Sequence, residues 1–358
     1  MNIHRCAAIS ALLLITACQA PTQDQAQEPP AQPSPNMRYG ALTFTDIPEG
    51  GAPYAAPATM ALEVALDRLG FSSGVIDGKP TQFDRGALRG FQTANGLDET
   101  GDLDASTKAA LGKAIQIAPT RLVRVPAEFA KGPFAPDLPR STAEQAGHER
   151  LDYRTLLEAL AERFHTTPET LTALNPANAK LGAGAVIRVP NIPDVDPADL
   201  GEDERGWNRT LMTLGISPRQ PSAERLVVDK SDAVLRAYDA GGRLLAQFPA
   251  TMGSEHDPLP LGEWTVQGIS RNPDFHYNPK LFWDVSDAQE DKLLKPGPNG
   301  PVGVVWLDLS KEHYGIHGTA EPASIGLSQS HGCVRLTNWD AARLAQMVRA
   351  GVVAVFQE

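Results

Sequence analysis

At Ala223 the apolar pattern of this chain changes period. Before it, apolar residues recur at helical spacing. After it they come in short alternating runs parted by turn residues, the mark of a mainly-β domain. Leu226-Val227-Val228-Asp229 and Val234-Leu235-Arg236-Ala237-Tyr238 flank one short turn, and Asp239 to Gly242 make another. Leu244 to Thr251, Trp264-Thr265-Val266, Val304-Val305-Trp306-Leu307 and Val352 to Phe356 continue the series. One helix is expected among them, Trp339 to Arg349, with Asn338 as its N-cap and Gly351 as its stop.

The chain has 358 residues, room for two or three domains, and its 30 prolines and 31 glycines imply many turns and connections. Residues 59–114 read as a small three-helix unit. Leu62, Ala65, Leu66 and Leu69 make the first helix, closed by Gly70, and Ala87, Leu88 and Phe91 mark the second. Ser106 to Leu111 makes a short third. Residues 115–150 read as a proline-containing linker. In 151–192, Leu156, Leu157, Leu160, Ala161 and Phe164 have helical spacing, a second helix starts near Thr167-Pro168-Glu169, and Val186 to Pro190 reads as a strand. Residues 193–222 form a second linker and 223–358 the last domain. The net charge of −11 counts against a general nucleic-acid binder, which carries a basic stripe.

The N-terminus reads as a targeting segment. Arg5 precedes an apolar run from Ala7 to Ile15, shorter than the ~20 residues a spanning helix needs. Ile15-Thr16-Ala17-Cys18 resembles a bacterial lipobox, which implies a signal peptide at 1–17 and lipidation of Cys18. Residues 18–58 follow as a flexible tether, rich in Gln, Pro and Ala up to Asn36. Gln19 after the cysteine resembles the signal for outer-membrane delivery in a Gram-negative host, so the expected location is the cell envelope, on a lipid anchor.

Chemistry concentrates in Ser330-His331-Gly332-Cys333-Val334-Arg335-Leu336 and in Ile316-His317-Gly318-Thr319. With Cys6 in the signal and Cys18 lipidated, Cys333 has no partner for a disulfide. A free thiol has a pKa of ~8.5 and needs a base to become a nucleophile at neutral pH. A nearby imidazole supplies one. A zinc site built from His313, His317, His331 and Cys333 is the competing reading. The four-residue spacing of His313 and His317 aligns ligands only on a helix, and the intervening residues read as a strand entering a turn. No metal is therefore expected. Gly332 lets the backbone approach a substrate closely, and the turn it shares with Cys333 offers N–H groups to an oxyanion. Gly297, Gly300 and Gly303, interleaved with Pro, read as a lid or wall of the groove.

Residues Arg225 to Phe356 resemble the YkuD-type L,D-transpeptidase catalytic domain. The matching features stand in order: the opening strand pair, Phe248-Pro249 with Gly253, Leu261-Gly262, Pro296 to Asn299, Gly315 to Thr319, Ser324-Ile325-Gly326 and the run around Cys333. The resemblance implies a β-sandwich with short helices. It also implies an exported acyltransferase whose donor is a peptidoglycan tetrapeptide stem. Cys333 would be the nucleophile, His317 the general acid and base, Gly318 the carbonyl that orients His317, and Gly332 part of the oxyanion hole. His331, Arg335, Ser330 and Thr319 would line the substrate site, Arg335 either fixing a carboxylate or bracing the loop. His331 would shape the pocket or be a hydrogen-bonded core residue. No cofactor is implied, and carbapenems would acylate Cys333.

The acceptor would be the amine of a second stem, or a lysine of an outer-membrane lipoprotein. Water in its place makes the same site an L,D-carboxypeptidase or crosslink-cleaving amidase. A non-catalytic wall-binding lipoprotein is the reading from another class. Residues 59–114 resemble the peptidoglycan-binding domain 1 family, and 151–192 a LysM unit with a weak opening strand. Each also has a plainer reading, a generic helical bundle for the first and a structural spacer for the second.

Overall fold

The computed structural model describes residues 35–50, 54–281 and 290–358. The expected signal peptide, Cys18 and the tether up to residue 34 lie outside the described residues. Among the described residues no helix is long and apolar enough to cross a membrane.

The three helices of the N-terminal unit are α1 (Ala58–Arg68), α2 (Gln82–Ala94) and α3 (Ala105–Leu111). Gly70, at φ 90°, turns the chain after α1, and its carbonyl accepts the Gln247 amide at 3.0 Å. Thr81 and Asp84 cap α2 reciprocally, Phe83 N donating to Thr81 Oγ1 and Thr81 N to Asp84 Oδ2. Leu62, Leu66, Phe71, Ala87, Leu88, Phe91 and Leu111 form the core of the unit. Leu244 of the C-terminal domain completes it, so the unit is docked rather than suspended.

Segments expected as tether and linkers are folded, which corrects that part of the sequence reading. Within 18–58, the described part forms a 3-10 helix (Pro35–Leu42) and β1 (Thr45–Ile47), and Tyr39, Leu42 and Phe44 are buried. Within 115–150 lie β2 (Thr120–Arg124), α4 (Ala127–Ala130) and α5 (Thr142–Gln145). Next come α6 (Leu156–Arg163), α7 (Pro168–Leu174) and β3 (Val186–Pro190). Within 193–222 lies α8 (Trp207–Leu214), with Trp207, Leu211, Met212 and Leu214 buried. Prolines suggested open connections, yet Pro126 simply sits at the cap of α4. The strand beside β3 is β2, with Val123 opposite Ile187, and β1 pairs with the other edge of β2. Residues 151–192 thus share their sheet with two upstream strands and do not close on themselves.

The C-terminal domain holds β4 (Arg225–Asp229), β5 (Val234–Tyr238), β6 (Leu244–Pro249), β7 (Thr251–Met252) and β8 (Gly262–Arg271). It continues with β9 (Phe275–Tyr277), β10 (Lys292–Leu294), β11 (Val305–Leu309), β12 (Gly315–His317), β13 (Val334–Arg335), α9 (Asn338–Met347) and β14 (Val353–Gln357). Nine strands run in the order β6-β5-β4-β14-β8-β11-β12-β13-β7, while β9 and β10 pair separately. Strand β8 joins the two halves: Gly262 to Thr265 pair with β14, and Val266 to Arg271 with β11. The domain is mainly β, as expected. Helix α9 starts one residue earlier than expected, because Thr337 is the cap and accepts from Asp340 N at 3.1 Å. That frees the Asn338 side chain. One apolar core runs from Phe44, Val123, Phe164 and Leu211 through to Phe248, Ile316, Val334 and Trp339.

Candidate active site

Strands β12 and β13 are parallel neighbours, with Ile316 beside Val334 and His317 beside Arg335. Leu336 N closes the pair on His317 O at 2.8 Å. Cys333 directly precedes β13, so the runs that carry Cys333 and His317 lie side by side. The charge of Arg335 acts on both side chains, which agrees with that placement.

His317 is 5% exposed. Its Nδ1 lies 2.7 Å from the Gly318 carbonyl, an acceptor only, so Nδ1 carries the ring proton and Nε2 is left as the acceptor. Trp306, opposite His317 on β11, stacks on the ring with centroids 5.5 Å apart. Burial first, and then the Arg335 charge, bring the imidazole down to about 3, against the Gly318 carbonyl, which raises it. The Cys333 thiol is half-buried and lies 3.8 Å from the His313 carbonyl. Burial pushes it up, Asp257 adds to this, and the Gly315 amide and Arg335 pull the other way. Both shifts favour the uncharged form, thiol and neutral imidazole.

The loop before Cys333 is held from within. Ser330 Oγ donates to the Cys333 carbonyl at 2.6 Å and accepts from Gly253 N at 2.7 Å, while Ser330 N donates to Gly253 O at 3.1 Å. With its one proton used and 3% exposure, Ser330 braces the loop against the chain after β7. This differs from the expected substrate contact. Thr319 is also turned inward, 9% exposed, and accepts from Glu321 N at 3.2 Å to shape the turn after β12. Gly332 sits at φ 94°, and a Cβ there would run into the Tyr314 ring, so both backbone and space demand glycine. His331 and Arg335 are half-buried beside the thiol, and Arg335 Nη1 lies 3.5 Å from the Gln329 carbonyl.

The segment with Gly297, Gly300 and Gly303, expected as a lid or wall of the groove, packs on Leu151 at one end and on Gly318 at Gly303. A Cβ on Gly297 would collide with the Leu151 backbone, and Asn299 N donates to Leu151 O at 2.9 Å. Tyr314, Asp257 and Asn338 also belong to the neighbourhood and were not singled out. Asn338 follows the Cys333 run by a few residues, but a cap role hid its other contacts. His313 is at φ 66° with its side chain exposed next to Glu312. Among the described residues no group of three or more His, Cys, Asp or Glu side chains is placed to hold a metal ion.

A cysteine thiol and a buried imidazole thus stand on neighbouring runs of a β scaffold, with the Gly318 carbonyl on His317 Nδ1. Residues 223–355 match the L,D-transpeptidase catalytic domain (YkuD), and residues 56–111 match a peptidoglycan-binding domain. The chain is 31% identical over 199 residues to the L,D-transpeptidase YkuD of Bacillus licheniformis, covering 54% of this chain and 89% of that one. It is 30% identical over 137 residues to YbiS of Escherichia coli, covering 37% of this chain and 44% of the relative. Among solved structures, L,D-transpeptidase 3 of Mycobacterium tuberculosis is 18% identical, with a TM-score of 0.32 over 50% of this chain and 77% of that one. The chain belongs to the YkuD family of L,D-transpeptidases.

Proposed function

We propose that this enzyme forms a thioester between Cys333 and a peptidoglycan tetrapeptide stem and passes it to an amine. The observation that carries the reading is His317, its Nδ1 held by Gly318 O and its Nε2 left as a base, on the strand next to the one Cys333 leads into. As Sγ attacks the carbonyl before the terminal D-alanine, its proton moves to His317 Nε2. The C–N bond breaks, and the same proton goes to the departing amine of D-alanine. The acceptor amine then attacks the thioester and gives a proton to His317, which returns it to Sγ. Gly332, at positive φ, shapes the turn whose backbone faces the oxyanion. Arg335 holds a stem carboxylate, and His331 shapes the wall beside it.

Export and a lipid anchor at Cys18 complete the reading, supported by the Ile15-Thr16-Ala17-Cys18 sequence. Peptidoglycan stems are donor and acceptor, with a lipoprotein lysine as a further acceptor. No cofactor takes part. Intact-protein mass spectrometry with a tetrapeptide stem tests the first half-reaction. A mass gain of the stem less D-alanine, placed on Cys333, is expected. No gain, with the protein folded, contradicts the thioester. A carbapenem should add to the same sulfur.

A further inference from the structure

Gly318 holds the imidazole, so what holds Gly318 matters to the chemistry. The side-chain amide of Asn338 fills the notch between Gly303 and Gly318, where a Cβ on either glycine would run into its Oδ1. Oδ1 accepts from Val304 N at 3.2 Å. Nδ2 donates to Pro298 O at 3.1 Å and lies 3.2 and 3.1 Å from the two carboxyl oxygens of Glu162. Tyr153 Oη donates to Glu162 Oε2 at 3.0 Å. The amide is thus oriented from both ends. Turning it over would set Oδ1 against the Pro298 carbonyl and Nδ2 against the Val304 N–H.

Glu162 belongs to α6 and Tyr153 to the chain just before it, both outside residues 223–355 that match the catalytic domain. A buried carboxyl without a cation partner is costly to keep in an apolar core. A packing role alone would be filled better by an apolar side chain. We propose that Glu162 is a positioning residue for the general base, acting through Asn338 to fix the Gly318 peptide and thereby the Nδ1–H form of His317. The inference rests on His317 being the base, as argued above. It makes the middle segment part of the active site rather than a spacer. The catalytic domain borrows one wall of its base-holding pocket from α6.

The test uses the full chain carrying Glu162→Met or Glu162→Gln, with alkylation read at Cys333 by peptide mass. Methionine keeps the volume and removes the acceptor, while glutamine keeps an oxygen for Asn338 Nδ2. Two readouts are taken, the ¹⁵N chemical shifts of the His317 ring and the rate of Cys333 alkylation by iodoacetamide. Neither depends on transpeptidation, so failure of the proposed reaction and failure of this inference are told apart. The expected result is a single Nδ1–H form in the parent and in Glu162→Gln, with alkylation rates within about twofold of each other. Glu162→Met should show mixed ring forms and alkylation slowed about tenfold, with a lower Tm because Tyr153 Oη loses its acceptor and Asn338 Nδ2 loses one of its own. A Glu162→Met protein with the parent's ring shifts and alkylation rate overturns the proposal. So does a Glu162→Gln protein with the same defect as Glu162→Met.

Discussion

The surroundings of Cys333 and His317 favour the uncharged form of each, which bears on how the proposed nucleophile would be made. Burial disfavours both the thiolate and the imidazolium, and Arg335 nearby favours the first while opposing the second. A standing thiolate–imidazolium pair would need the imidazole far more basic than about 3. In the proposed reaction the proton would therefore move as the sulfur attacks. Alkylation of Cys333 should accordingly climb steadily from pH 5 to pH 9 with no plateau at the acid end. A plateau from pH 5 would reveal a standing ion pair. Cys333, His317, Gly318 and Gly332 stand out in the sequence because they sit in two contiguous runs whose proposed chemistry depends on residue type, and the structure sets those runs on neighbouring strands. For Ser330 and Thr319, read as lining the substrate site, the sequence shows a hydroxyl but not its contacts, and in the structure both hydroxyls bond within their own loops.

At the scale of elements, the strands of the C-terminal domain announce themselves by alternation, and α1, α2 and α3 by helical spacing and caps. The segments that escaped are short. Strand β2 sets Leu122-Val123 between Arg121 and Arg124 in five residues flanked by Pro119 and Pro126, too little to separate from a linker without the sheet around it. Helix α6 was expected, but its buried acid was not. Burial first raises Glu162 to about 8, with Glu158 adding to it and the bonds from Asn338 and Tyr153 opposing. The sign follows from linkage. Between its ordinary value of 4.5 and about 8 the folded chain keeps a proton that the unfolded chain has lost, so this group makes stability fall as pH rises through that window. Glu162→Gln removes the penalty. The Tm of Glu162→Gln relative to the parent should rise from pH 5 to pH 8 by a few degrees, read by thermal scans. A gap independent of pH contradicts the assignment.

Across the whole molecule, three parts of the chain meet in one buried polar cluster. Asp67 of α1 lies 3.0 Å from His165 Nδ1, and Arg343 of α9 donates to Asp67 O at 2.8 Å and Asp67 Oδ2 at 3.3 Å. Ser72 Oγ donates to Asp340 Oδ2 at 2.9 Å, and His165 stacks on Trp339 at 5.1 Å. Burial pushes Asp67 up, but Arg343 and then His165 outweigh it and hold the carboxyl below the usual carboxylate range. Its stabilising effect is present above the ordinary value of 3.8 and is lost as pH falls below it. Asp67→Ala leaves Arg343 and His165 without that partner and should cost about 3 kcal/mol in urea denaturation at pH 7. A loss below about 1 kcal/mol would show the cluster to be incidental. The domain order was legible from the motifs. The joints were not, because Asp67 and His165 look like any polar residue at the edge of an apolar pattern.

The most direct test is mass spectrometry of muropeptides after tetrapeptide-rich peptidoglycan is incubated with the enzyme and with its Cys333→Ala form. The account predicts new dimers joined through two diamino acids, absent with Cys333→Ala. Tripeptides without dimers would put water in the acceptor's place, and no change with the intact enzyme would contradict catalysis by Cys333.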